Sequence, residues 1–413
     1  MNDVYTGIDL GTDSVKIVVC SKIGDHYSIL ASSSYPSSGI KDGFIVDTKA
    51  AVNSVKKAVS EVEDALGIPV SKVVACVPPT NCSMDIVSGS ATVEDYNEIR
   101  GEDVSKVLLD ALKQVELGDV ELVTAMPIHF TIDDDVTVSD PKGMRGSTLS
   151  AKVVVSTTEK EPLYKILEVL SLAGLDTVDI SYSSFGDYYA CADKKYDELV
   201  GAIINIGETS TNISIFNRGI QIKNGLIPAG SLHVDKDLAY AFKCNLEDAR
   251  RMKENFALAL ASYADSNDTW TVVDEAHEEK EINQLNASKV VEARVREILK
   301  LAKNEIKNLT NREIRYIIIT GGLSELAGFP YLVDQEFGFV AKLSNITTMG
   351  VRHNKFSSCL GIVRFFHDKL DLRGKSYNMF TNEELGLLMS CDSVCSISND
   401  NTNHKVFDHF FDV

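Results

Sequence analysis

The chain has 413 residues, 44% of them hydrophobic, with 41 Lys and Arg against 60 Asp and Glu, a formal charge of −19. That acidity excludes bulk contact with nucleic acid, whose phosphates need cations, and a purely electrostatic grip on anionic lipid. High apolar content and nine prolines argue against disorder, and no apolar run nears the roughly 20 residues that span a bilayer.

The start, MNDVYTGIDL, lacks the basic-then-apolar pattern of a secretory signal, so a reduced, cytoplasmic protein of two or three domains is expected. Cys20, Cys76 and Cys191 sit in or beside apolar segments and read as buried thiols. Cys391 and Cys395 form a close pair with nothing nearby to complete a metal site.

The first patterned segment is residues 7–19, GIDLGTDSVKIVV. Its β-branched runs flank a Gly-led turn and read as strand, tight turn, strand, with a third strand over 26–34. Gly11 lets the backbone approach a ligand, and successive N–H groups in such a turn form an anion-binding concavity. Gly11, Thr12, Asp13 and Ser14 make that turn. The hydroxyls of Thr12 and Ser14 suit phosphate oxygens, Lys16 adds charge, and Asp9 is a candidate Mg²⁺ carboxylate.

A strand over 73–77 follows. Then Val104, Val107, Leu108, Ala111, Leu112 and Val115 share one helix face. A strand over 121–132, the turn DPKGMRG at 140–146, a strand over 149–157 and a helix over 162–174 come next. Residues 201–216, GAIINIGETSTNISIF, repeat the first hairpin at domain spacing, with Gly207 leading the turn, Thr209 and Ser210 as hydroxyls, and a third strand over 219–227. The polar stretch 261–287 reads as an irregular edge, and 277–281 as a solvated loop. His129 and His233 lack acidic or thiol partners at ligand spacing. Residues 315–320, RYIIIT, read as a buried strand running into Gly321 and Gly322 and a helical stretch over 324–337, a common seat for a nucleotide. Residues 371–404 read as polar linker. Beyond it, Val406, Phe407, Phe410 and Phe411 share one face of a short helix.

Two phosphate-type hairpins and a Gly-Gly turn in this order resemble the actin, heat-shock-70 and sugar-kinase superfamily. The 140–146 turn, followed two residues on by Leu149-Ser-Ala-Lys, resembles the hallmark of the FtsA family, the bacterial cell-division relatives of actin. Residues 232–242, with Asp235 and Asp237, and 290–303 are similar too; the resemblance covers about residues 3–370. It implies an α/β, two-lobed, actin-like ATPase fold with a small α+β domain inserted in the first lobe. The bounds expected are first lobe 1–81, insert 82–161 and first lobe again 162–196. The second lobe follows as inner part 197–242, outer subdomain 243–312 and inner part 313–358. A return to the first lobe over 359–375, a linker over 376–404 and an amphipathic segment over 405–413 complete the chain.

The resemblance further implies ATP held between the lobes, with Lys253 facing the nucleoside. It implies self-association into actin-like filaments, docking of the FtsZ C-terminal tail near Arg294, and recruitment of other divisome proteins. It places the chain peripherally on the cytoplasmic face of the membrane at the division site, anchored through Phe407, Phe410 and Phe411. No nucleic-acid partner is expected. The tail departs in charge, because Asp408 and Asp412 oppose a single Lys405.

The cleft departs as well. The second turn reads Asn205-Ile-Gly-Glu-Thr-Ser-Thr-Asn212 where the family carries acids at both ends and a Gly in place of Glu208. Arg250 replaces an acidic residue, and Ser183 stands where Glu is common. Losing bases and metal ligands together slows hydrolysis, so ATP binding with little or no turnover is expected, and no catalytic residue is assigned. The alternatives are another actin-like adaptor (pilus assembly or chaperone-like), against which the 140–146 turn speaks, and a small-molecule kinase, which needs an aspartate base in the cleft.

Overall fold

The computed structural model describes residues 3–24, 26–273, 278–346, 348 and 350–388. The chain begins with an antiparallel meander, β1 (Asp3–Leu10), β2 (Ser14–Ile23) and β3 (His26–Pro36). The first two strands are buried almost throughout, which is why they read as continuous apolar runs. A small ladder of β4 (Ile40–Lys41) and β5 (Phe44–Ile45) leads to α1 (Thr48–Leu66). Asp47 caps α1 by accepting the Ala50 N–H at 3.0 Å, and Gly67 ends it in the left-handed conformation. Ala51, Val55, Ala58, Val62 and Leu66 turn inward at helical spacing. β6 (Lys72–Val77) then pairs in parallel with β1.

The chain next leaves the lobe to build a separate sheet. Its elements are β7 (Ser83–Thr92), α2 (Gly101–Leu112), β8 (Val120–Ile132), β9 (Val136–Val138) and β10 (Thr148–Glu159), in strand order β7-β10-β8-β9. Val104, Val107 and Ala111 of α2 pack with Phe130, Ile132, Leu149 and Val153 in a core of its own. α3 (Lys160–Leu172), β11 (Asp176–Tyr182) and α4 (Ser183–Cys191) return to the first lobe. Its sheet is ordered β11-β6-β1-β2-β3.

The second lobe repeats this plan. It contains β12 (Val200–Ile206), β13 (Thr211–Asn217), β14 (Ile220–Ile227), α5 (Ser231–Phe242), α6 (Leu246–Asn255), β15 (Thr269–Val273), β16 (Glu279–Asn283) and α7 (Gln284–Leu309). β17 (Tyr316–Thr320), α8 (Phe329–Phe337) and β18 (Ala341–Leu343) complete it. Its sheet order is β14-β13-β12-β17-β18, so each lobe has an antiparallel meander extended by two parallel strands. α9 (Ser357–Leu372) then crosses α4 and packs on the first lobe. The crossing is close: a Cβ on Gly361 would lie 1.7 Å from the carbonyl oxygen of Gly186. Phe185 of α4 stacks on Phe365 of α9 at 4.9 Å, and both belong to an apolar cluster with Ile203, Phe216, Tyr316 and Ile318 that joins the lobes.

Three expectations change. The helix expected over 324–337 is a short 3₁₀ turn, Gly322–Glu325, and then α8, because Gly328 sits at φ 80° between them. The region expected as an irregular edge and solvated loop holds the β15–β16 hairpin, with Val272 and Ile282 buried in the second-lobe core. Of the expected linker over 376–404, the first part belongs to the first lobe. Met379, Phe380 and Leu385 are buried there, and the Met379 N–H donates to the Val4 carbonyl at 3.3 Å. Phe407, Phe410, Phe411, Cys391, Cys395 and His277 lie outside the described residues. No helix among the described residues is long and apolar enough to cross a membrane.

Candidate functional site

The two hairpin turns have the same backbone. Leu10 pairs with Val15 and Ile206 with Thr211, leaving four residues to turn in each case. The Gly11 N–H donates to Ser14 O at 3.1 Å, and the Gly207 N–H donates to Ser210 O at 2.9 Å. Both turns open on one cleft of about 620 Å³ between the lobes. Asp9, Gly11, Thr12, Asp13, Lys16, Gly207, Thr209, Ser210, Lys253, Gly321 and Gly322 all line it. Gly321 follows β17 with φ 94°, where a Cβ would lie 2.4 Å from the Ile206 carbonyl oxygen, so only glycine lets β17 turn this close to β12.

Ser14 differs from its expected role. Its hydroxyl is buried with no hydrogen-bond partner among the described residues, and its carbonyl accepts instead from Gly11 N–H and from Lys16 Nζ at 3.1 Å. The Thr12 hydroxyl oxygen accepts the Gly43 N–H at 3.2 Å. The His233 Nδ1 accepts the Gly230 N–H at 3.2 Å, at the start of α5.

The charges at the two turns are already paired, whereas Asp42, Glu254 and Lys355, which also line the cleft, form no ion pair among the described residues. Lys16 lies 3.4 Å from Asp9. Lys253 lies 2.7 Å from Asp235, whose side chain is wholly buried. Arg250 reaches Asp13 in the first turn at 3.2 Å, Glu208 in the second at 2.5 Å and Asp235 at 3.5 Å. Burial, reinforced by Asp13, raises the Glu208 carboxyl above its ordinary range in spite of Arg250.

One residue that sequence reasoning missed sits beneath these turns. Asp187 on α4 is buried. Its Oδ1 accepts from the Ser357 hydroxyl at 2.6 Å and the Ser358 hydroxyl at 2.8 Å, and its Oδ2 accepts from Asn205 Nδ2 at 2.7 Å. Burial pushes it up to about 6, against those three hydrogen bonds. The available signal was a lone acid in the aromatic-rich helix SSFGDYYAC.

A divalent ion fits this donor set poorly. Mg²⁺ takes hard oxygen ligands, usually one or two carboxylates with phosphates and waters. Here Asp9, Asp13 and Glu208 each face a Lys or Arg, which the ion would have to displace. Asn205 offers only a neutral amide oxygen, and no three His, Cys, Asp or Glu side chains cluster as a metal site among the described residues.

The model of the cell division protein FtsA matches residues 202–361, and that of the SHS2 domain inserted in FtsA matches residues 80–157. Cell division protein FtsA of Bacillus subtilis (strain 168) is 27% identical over 387 residues, which are 93% of this chain and 88% of that protein. The chain belongs to the FtsA family. Solved structures agree on the actin-like fold. The PilM-PilN type IV pilus biogenesis complex gives a TM-score of 0.58 at 16% identity, covering 87% of this chain and 98% of that one. MreB 5 of Spiroplasma citri bound to AMPPNP gives 0.57 at 12% identity, covering 89% and 97%.

Within this FtsA-family cell division protein, the 140–146 turn has a physical task. Gly143 N–H donates to Ile99 O at 2.9 Å, and Ile99 N–H donates to Met144 O at 2.8 Å. Lys142 Nζ donates to Asp371 O at 2.6 Å, satisfying a carbonyl at the end of α9. The turn thus fastens the inserted domain to α9 of the first lobe. Arg294, on α7 in the outer part of the second lobe, holds Asp237 with two hydrogen bonds at 2.6 and 3.0 Å and Glu297 at 2.7 Å.

Proposed function

We propose that this chain is an actin-like division adaptor. It tethers FtsZ filaments to the cytoplasmic face of the membrane, self-associates into actin-like filaments and recruits later divisome proteins. It holds ATP between its lobes and hydrolyses it slowly or not at all. The observation that carries the non-catalytic reading is the pairing of the cleft carboxylates. At the turns Asp9, Asp13, Glu208 and Asp235 are each paired with a cation, Arg250 being shared, and Asp187 lies buried under Asn205, so none of these five is presented as a free base to an attacking water. In this reading Thr12, Thr209, Ser210 and the turn backbones hold phosphates, and Lys253, Gly321 and Gly322 flank the nucleoside. Mg²⁺ has no protein-held place.

The FtsZ tail docks beside Arg294, which exchanges its Asp237 partner for a carboxylate of the peptide. Phe407, Phe410 and Phe411 supply membrane affinity by aromatic burial, since the tail's charge does not. The test is capture of an FtsZ tail peptide by the full-length protein. Capture weakened about tenfold in R294A supports docking there, and no capture by the wild type overturns it. Brisk Mg²⁺-dependent ATP turnover overturns the non-catalytic reading. Liposome sedimentation unchanged by deleting residues 405–413 overturns the anchor.

A further inference from the structure

We propose that Arg250, not a divalent ion, is the cation that joins the two turns of the cleft. A polyphosphate then enters by exchanging with the Glu208 carboxylate for that guanidinium. This deepens the nucleotide reading and rests on it.

Arg250 lies on α6, yet its contacts come from three other places: the first-lobe turn at Asp13, the second-lobe turn at Glu208, and α5 at Asp235. Asp13 and Arg250 are 237 positions apart, so this bridge spans the lobes. A guanidinium suits the task. Its five donors form a rigid fork that serves more than one oxygen acceptor, and it stays charged at any ordinary pH. The neighbouring cations are committed elsewhere, Lys16 to Asp9 at 3.4 Å and Lys253 to Asp235 at 2.7 Å. At the turns, four carboxylates (Asp9, Asp13, Glu208, Asp235) meet three cations (Lys16, Arg250, Lys253), one negative charge in excess. At the two turns a bare polyphosphate therefore gains a charged donor only where a carboxylate gives one up, while Lys355, which also lines the cleft, forms no ion pair among the described residues.

Glu208 is the carboxylate placed to do so. Its side chain is 12% exposed against 49% for Asp13, so it lies deeper in the cleft and its charge is the less screened obstacle to an incoming phosphate. It belongs to the same turn as Gly207, Thr209 and Ser210, so the group that leaves Arg250 is adjacent to the donors that receive the phosphate. Arg-phosphate pairs are often bidentate, which makes the exchange one of like for like.

The test titrates a fluorescent ATP analogue into the full-length protein, with Mg²⁺ or with EDTA, and follows hydrogen exchange of residues 11–14 and 207–210. The expected results are an affinity that differs less than about threefold between Mg²⁺ and EDTA, about tenfold tighter binding by E208Q, and at least about tenfold weaker binding by R250A. R250A should also speed exchange at both turns, because the bridge between them is gone. E208Q is nearly isosteric and keeps the fold if R250A does not. An E208Q variant that binds no tighter, or a wild type whose affinity rises tenfold or more with Mg²⁺, overturns the proposal. If no variant binds the analogue, faster exchange in R250A still supports the Arg250 bridge, and only the nucleotide reading falls. Unchanged exchange in R250A overturns the bridge itself.

Discussion

Replacing Asp187 by Asn should remove a pH dependence that the wild type carries behind Asn205 and Ser358 of the cleft wall. The carboxylate is fully buried, and that burial moves it from 3.8 up to about 6 although Ser357, Asn205 and Ser358 all donate to it. The folded pKa is therefore raised above the unfolded one, so the folded state binds this proton more tightly. Stability from this group is gained as pH falls through about 6 and is complete below the unfolded value. The full span is on the order of 3 kcal/mol, taking 1.36 kcal/mol per unit. Between about pH 7.5 and pH 5 the wild type should gain about 1.4 kcal/mol relative to D187N. The variant keeps its geometry, since the new amide oxygen still accepts from Ser357 and Ser358 and Asn205 turns its own amide to present Oδ1. Urea unfolding of both proteins at the two pH values gives the difference directly. Parallel stabilities, or a wild type that loses ground to D187N in acid, would refute the reasoning.

Two other substitutions probe the frame around the cleft. G361A places a methyl 1.7 Å from the Gly186 carbonyl oxygen and 2.7 Å from the Ala190 nitrogen, so α4 and α9 must separate. That strains the Phe185–Phe365 stack and should cost about 3 kcal/mol or more, read as a lower thermal midpoint, with an unchanged midpoint counting against the close crossing. K253M leaves the buried Asp235 with Arg250 at 3.5 Å as its remaining cation and should cost about 3–5 kcal/mol. The double variant D235N/K253M should recover part of that loss in chemical denaturation, and strict additivity of the two single effects would argue against the pair.

The frame was legible in the sequence because its signals are local. Each Gly-led turn lies between β-branched runs, and the insert announces itself in seven residues, 140–146. What was not legible depends on contacts between distant residues. Arg250 was visible as a departure, but its reach to Asp13 across 237 positions was not. Asp187 was missed, because its partners come from α9 and β12. The β15–β16 hairpin was hidden because Glu279, Lys280 and Glu281 are exposed and only Ile282 turns inward. Residues 376–388 looked like linker because they carry no long strand or helix period, yet Met379, Phe380 and Leu385 are buried in the first-lobe core.

The duplication separates what the backbone does from what the side chains do. The same Gly-to-Ser hydrogen bond closes both turns, so each lobe offers the same geometry to a ligand. The chemistry placed on that geometry differs: the first turn carries Asp13 within it and the Lys16–Asp9 pair behind it, and the second carries Glu208 within it. A symmetric pair of phosphate cradles would draw an anion equally from both sides. Here each turn carries an acid, Asp13 in the first and Glu208 in the second, with Arg250 between them. Likeness of fold to a nucleotide-bound structure at 12% identity therefore speaks for the turns and not for the affinity. The affinity rests on whether one carboxylate can leave one guanidinium.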